Sequence, residues 1–259
     1  MRIRDLPIHE RIPLSCTRVI IIKCSDYEGN ILYRFTGTGF FIEFKGKIYF
    51  ITANHCVVSA ANGKRVPIAD LIIFVDFIST DRRENVEFDL CYKPCSNDGD
   101  NTDQNDLVIY RVNMNEIPIE VVKAISPFNF EQPVSSVLYQ GIPVAIVGYP
   151  FEMREINYEE KRICTKIWVT HGAILKADSS QRNVFIVKYR CDSEIINADG
   201  MSGSPVFAIH PSGMQLIGLV IRGGTGRECM GFKHYSTLRV IDASVLVEAL
   251  FRLETTYRN

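Results

Sequence analysis

The chain has 259 residues, 46% of them hydrophobic, enough to bury a substantial core in one large domain or two small ones. Its 29 basic and 30 acidic residues leave a formal net charge of −1, which gives no electrostatic case for nucleic acid or an anionic membrane as partner. It contains no apolar run of about 18 residues, so no membrane-crossing helix is expected.

In chain order, Met1–Pro7 lacks the apolar core of a secretory signal, so the expected location is the cytoplasm. Short runs of branched and aromatic residues then follow, at 18–23, 48–52, 71–75, 107–110, 144–147, 167–170, 184–187 and 216–221. Glycine, asparagine and aspartate clusters separate them, which predicts many short strands in a sandwich or a barrel. The last element is predicted to be a helix capped by Asp242 or Ser244, with Leu246, Leu250 and Leu253 on one face.

Two features invite a metal. Cys91 and Cys95 have the spacing that could begin a zinc site, but no Cys/His pair follows closely. The polar run from Ser96 to Asn105 is rich in carboxylates but lacks the glutamate that closes a calcium loop. Neither metal nor cofactor is expected. Eight cysteines would allow four disulfides in a secreted protein; without a signal, reduced thiols are expected.

The chemistry concentrates in three segments. Asp199-Gly200-Met201-Ser202-Gly203-Ser204-Pro205 places a serine on a glycine-flanked turn, where a hydroxyl and bare backbone N–H groups can face one spot. Thr52-Ala53-Asn54-His55-Cys56 supplies a histidine, and Asn105-Asp106-Leu107-Val108 a carboxylate. A histidine within reach of a serine takes its proton, and a carboxylate fixes the histidine's tautomer. His9, His171 and His210 have no such context and read as surface or loop residues.

These segments resemble those of the chymotrypsin-like serine peptidases, whose triad runs in the same order. Gly37-Thr38-Gly39-Phe40-Phe41 is similar to the glycine-rich strand that precedes the family's histidine. Val147-Gly148-Tyr149-Pro150 and the run from Gly200 to Pro205 look closest to the bacterial glutamyl-endopeptidase and HtrA-like branch. The resemblance covers roughly residues 14 to 253. It implies an all-β fold of two six-stranded antiparallel barrels with a C-terminal helix. The first barrel would span 1–113, a connection 114–137, and the second barrel with the helix 138–259. The site would lie between the barrels.

The resemblance implies a serine endopeptidase acting on polypeptides. Ser202 would be the nucleophile, His55 the general base and acid, and Asp106 the orienting carboxylate. The N–H groups of Gly200 and Ser202 would form the oxyanion hole. Ile196, Asn197 and Asp199 would wall the specificity pocket on one side, Ile221, Gly223 and Gly224 on another, and Lys233 and His234 on the third. Ile196 stands where trypsins carry an aspartate, which argues against Lys or Arg in the substrate. Lys233 or His234 could favour an acidic side chain, but Val220 aligns with the histidine that glutamyl endopeptidases use, and a small or apolar side chain is the other reading. Secreted animal relatives pair the cysteine after the histidine with one in the glycine-rich strand; Cys56 is present here without that partner.

Met201 replaces the aspartate that binds a freshly cleaved N-terminus in the trypsin branch, so no trypsin-style zymogen activation is expected. A protease of the cytoplasm needs restraint, which points to a protein activator or regulator as partner. The alternative is a silent peptidase fold that binds peptides without cutting them. An α/β-hydrolase is disfavoured: the histidine comes first and no helices alternate with the strands.

Overall fold

The computed structural model describes residues 13–59, 63–76, 83–94, 105–130, 140–160, 162–191, 198–211, 213–223, 228–230 and 233–257. The first half holds β1 (Thr17–Ser25), β2 (Ile31–Phe44), β3 (Lys47–Thr52), β4 (Leu71–Ile72), β5 (Phe74–Asp76), β6 (Arg83–Asn85), β7 (Phe88–Tyr92) and β8 (Val108–Val112). A connecting stretch carries α1 (Ile119–Ile125) and β9 (Phe128–Asn129). Then come β10 (Pro143–Gly148), β11 (Arg154–Asn157), β12 (Arg162–Thr165), β13 (Trp168–Ala177), β14 (Val184–Cys191) and β15 (Pro205–His210). The chain ends with β16 (Gly213–Gly223), β17 (Glu228–Met230), β18 (Lys233–Asp242) and α2 (Ala243–Thr256).

The second sheet closes. Its strands run β14-β13-β10-β15-β16-β18, and β14 pairs again with β18, giving a six-stranded antiparallel barrel. The first sheet does not close among the described residues. It runs β4-β1-β2-β3-β8-β7 as a curled half-barrel, with β9 added in parallel to β2. Of the two expected six-stranded barrels the second is closed, and the first is seen as a curled half-barrel; the 71–75 run shows how it opens. The Ile73 N–H donates to the Asn85 side chain at 2.8 Å and its carbonyl accepts from Val86 N–H at 3.0 Å. The strand therefore breaks at Ile73, and β5 turns away into a separate hairpin with β6.

Alternation along the strands sets the cores. On β3, Phe50 faces the core inside the first sheet, while Tyr49 and Ile51 face a second core. On β15, Phe207 joins that second core, while Val206 and Ala208 fill the closed barrel. The second core therefore lies between the sheets and fuses them. Helix α2 completes it with Leu246, Ala249, Leu250 and Leu253. The Asp242 carboxylate caps the helix by accepting from Ser244 N–H at 2.7 Å.

No helix among the described residues is long and apolar enough to cross a membrane. Cys16, Cys24, Cys56, Cys91 and Cys164 are unpaired. The Cys91 sulfur accepts from the Arg65 guanidinium at 3.2 Å. Cys95 and the polar run 96–104 lie outside the described residues. His171 and His210 are exposed.

Candidate active site

His55 follows β3 on a single 3-10 turn, Asn54–Val57. Cys56 and Val57 are buried in the first core, which leaves the imidazole outward with its side chain 49% exposed. Asp106 precedes β8, the strand paired with β3, so the sheet register brings the two segments together. Its carboxylate holds His55 twice. Oδ1 accepts from the His55 backbone N–H at 2.9 Å, and Oδ2 lies 2.6 Å from Nδ1. The Nδ1 proton thus faces the carboxylate, so that in the neutral ring Nε2 is the acceptor. Burial disfavours the charged ring, but bonds from Asp106 and then Cys56 outweigh it and push the His55 pKa up to about 10.

Ser202 stands on a turn between the undescribed stretch 192–197 and β15. Met201 N–H donates to the Ala198 carbonyl at 3.0 Å and Ser204 N–H to the Met201 carbonyl at 2.9 Å. Gly200 and Gly203 take φ of +87° and +84°, a region that side chains disfavour. At both positions the space for a side chain is also filled: by Arg154 and the Tyr149 carbonyl at Gly200, and by Thr38 and Thr52 at Gly203. Met201 is fully buried in the core of the closed barrel.

The turn is gripped from the other sheet by Thr38 on β2. Its hydroxyl donates to the Gly200 carbonyl at 2.8 Å and accepts from Tyr149 N–H at 3.0 Å. Its N–H donates to the Ser202 carbonyl at 2.9 Å, which also receives the Cys56 thiol at 3.5 Å. Any side chain at Gly37 would collide with Cys56, so β2 and the histidine turn meet closely there.

His55, Asp106, Gly200, Ser202, Ile221 and Gly223 line one cleft of about 1150 Å³ between the two sheets. The Ser202 hydroxyl rests against the Ile221 carbonyl at 3.4 Å, and among the described residues it makes no hydrogen bond to His55. The Asp199 carbonyl accepts from Phe151 N–H at 2.8 Å. A trans peptide holds its C=O and N–H opposed, so the Gly200 N–H points away from Phe151.

Residues 37–219 match the family model of the trypsin-like peptidase domain. The chain belongs to the trypsin-like peptidases. The matched span contains His55, Asp106 and Ser202 and ends within β16, so β18 and the C-terminal helix fall beyond it. A comparison with curated proteins returns no match.

Of the expected pocket residues, Asp199, Ile221 and Gly223 line the cleft of this trypsin-like peptidase domain. Asp199 is exposed at its rim, Ile221 is buried on β16, and Gly223 lies beside Ala198. Ile196, Asn197 and Gly224 lie outside the described residues, and Lys233 and His234 are described only as the start of β18. Two residues of the site escaped the sequence reading. Thr38 lay inside the quoted Gly37-Thr38-Gly39 run, where a threonine between glycines was a usable signal. Arg154, which also lines the cleft, gave none.

Proposed function

We propose that the chain is a serine endopeptidase in which Ser202 attacks the peptide carbonyl, His55 takes the proton, and Asp106 orients His55. The observation that carries this reading is the double grip of Asp106 on His55 in the cleft that Ser202 also lines. When substrate binds, the hydroxyl leaves the Ile221 carbonyl and takes Nε2 of His55 as acceptor. The Oγ–C bond forms, the carbonyl electron pair moves onto oxygen, and the proton passes to His55. The intermediate then expels the amine, which carries that proton away, and water repeats the cycle on the acyl-enzyme.

The Gly200 and Ser202 N–H groups would receive the developing oxyanion; one such donor is worth about 3 kcal/mol. Burial of Met201 supports a turn ordered without a cleaved N-terminus, hence no trypsin-style zymogen step. The glutamyl-endopeptidase and HtrA-like branch remains the subfamily we favour, on the Tyr149-Pro150 and Gly200–Pro205 runs. The specificity pocket is proposed from Ile196, Asn197, Asp199, Ile221, Gly223, Gly224, Lys233 and His234. The first sheet, the connection and the closed barrel are read as 1–113, 114–137 and 138–259. Five cysteines that are unpaired among the described residues fit a reducing compartment such as the cytoplasm, where a protein regulator would restrain the enzyme.

The second reading, a silent peptide binder, is favoured by one observation: the hydroxyl faces Ile221 and not His55. Digestion of a randomised peptide pool by the full chain separates the two. The peptidase reading predicts cleavage by wild type and none by Ser202→Ala or His55→Ala. A silent binder retains peptides from the pool intact.

A further inference from the structure

Arg154 opens β11 beside the oxyanion turn, and its side chain folds inward. Nε donates to the Pro150 carbonyl at 3.2 Å, and the guanidinium lies over the Phe35 ring, 5.7 Å from its centroid. Nη2 is closed off from solvent and has no hydrogen-bond partner among the described residues. That same atom fills the space where a Gly200 side chain would stand. Cys56, then the exposed Glu152 and Asp199, act on the cation through space, but none of them bonds to Nη2. Burial pulls the Arg154 pKa down to about 10, so it stays charged at neutral pH.

A cation with one nitrogen shut off from solvent and no bonded counter-ion there is costly to keep, and its field acts most strongly on the groups nearest to it. Nη2 lies against Gly200, whose N–H the peptidase reading assigns to the oxyanion. The neighbouring Met201 carries no charge. Among the described residues the resting site therefore holds a positive charge with no bonded counter-ion, next to the place where negative charge develops during attack by Ser202. Resting on that reading, we propose that Arg154 is a positioning residue that holds the Gly200 turn and supplies the positive field for the oxyanion. The alternative anion is a carboxylate of the substrate; closure of Nη2 behind Gly200 favours the oxyanion.

The test follows inactivation of the full chain by a fluorophosphonate, whose attack by serine builds negative charge on the phosphonyl oxygen. Wild type, Arg154→Gln and Arg154→Lys are compared, with thermal melts alongside. The proposal expects Arg154→Gln to lose about 10-fold or more in kinact at unchanged KI, and Arg154→Lys to recover most of it. Equal kinact in Gln and wild type overturns it. So do equal losses in Gln and Lys, which mark a shape effect, or a loss in KI alone. If Arg154→Gln melts below the assay temperature, Arg154→Lys decides, and a kinact far below wild type overturns the proposal. In peptide-pool digestion, a loss by Arg154→Gln confined to acidic peptides also overturns it and assigns the cation to substrate. Wild type that does not react at all refutes the peptidase reading itself, a result visible before any variant is compared.

Discussion

His55 gains its position and its charge state from one carboxylate. Because partners raise its pKa above the ordinary 6.5, the neutral ring needed as base forms only at higher pH. The acid limb of kcat/KM is therefore expected on the alkaline side of 6.5, with activity rising as pH rises. Asp106→Asn should move that limb back toward 6.5 and lower the plateau roughly 10³–10⁴-fold. A limb unmoved by the change would show that Asp106 does not set the histidine. The same shift bears on stability with the opposite sense: the pair stabilises the fold fully below 6.5 and loses that contribution as pH rises through about 10. Thr38 is a second residue to test. Thr38→Val keeps its shape but strands the Gly200 carbonyl and the Tyr149 N–H, at a cost of about 1–3 kcal/mol in denaturant unfolding. It should also lower kcat more than KM, and unchanged unfolding would count against its role as the grip. The histidine, aspartate and serine were legible because each sits in a short run of distinctive neighbours. Thr38 and Arg154 act across the fold. Thr38 reaches a carbonyl 162 positions away, and Arg154 reaches a glycine in another loop. No local pattern encodes such contacts.

At the level of elements, the turn around Ser202 is fixed by glycines that cannot be replaced. Gly203→Ala must hold a side chain at φ +84° and push it into the Thr38 carbonyl. A loss of more than about 2 kcal/mol is expected in denaturant unfolding, together with loss of peptide cleavage. A near-neutral result would mean that the turn is not rigid. Most strands were legible from runs of branched residues, and helix α2 from its leucine spacing. The break at Ile73 was not, since an asparagine side chain from another strand ends the run. Nor were the β11–β12 hairpin or the outer reach of β2, because their polar residues alternate too weakly to mark a buried face. The hairpin's place across the cleft depends on Tyr158, whose hydroxyl bonds both the N–H and the carbonyl of Tyr33.

For the whole molecule, the second core and the C-terminal helix join the two sheets. Leu250 is fully buried in that core, and Glu254 on the same helix accepts from Lys47 at 2.9 Å and from the Tyr49 hydroxyl in the first sheet. Leu250→Ala should therefore destabilise by about 2–5 kcal/mol and preserve a single unfolding transition seen by two probes. Two separate transitions would show that the sheets unfold independently. A cleft between sheets joined in this way can hold His55 and Asp106 from one and Ser202 from the other in register. The most direct test of that claim is a fluorophosphonate reaction with the full chain, with the adduct mapped by mass spectrometry. The account predicts a single adduct on Ser202, absent from His55→Ala. No adduct, or one on another residue, would contradict it.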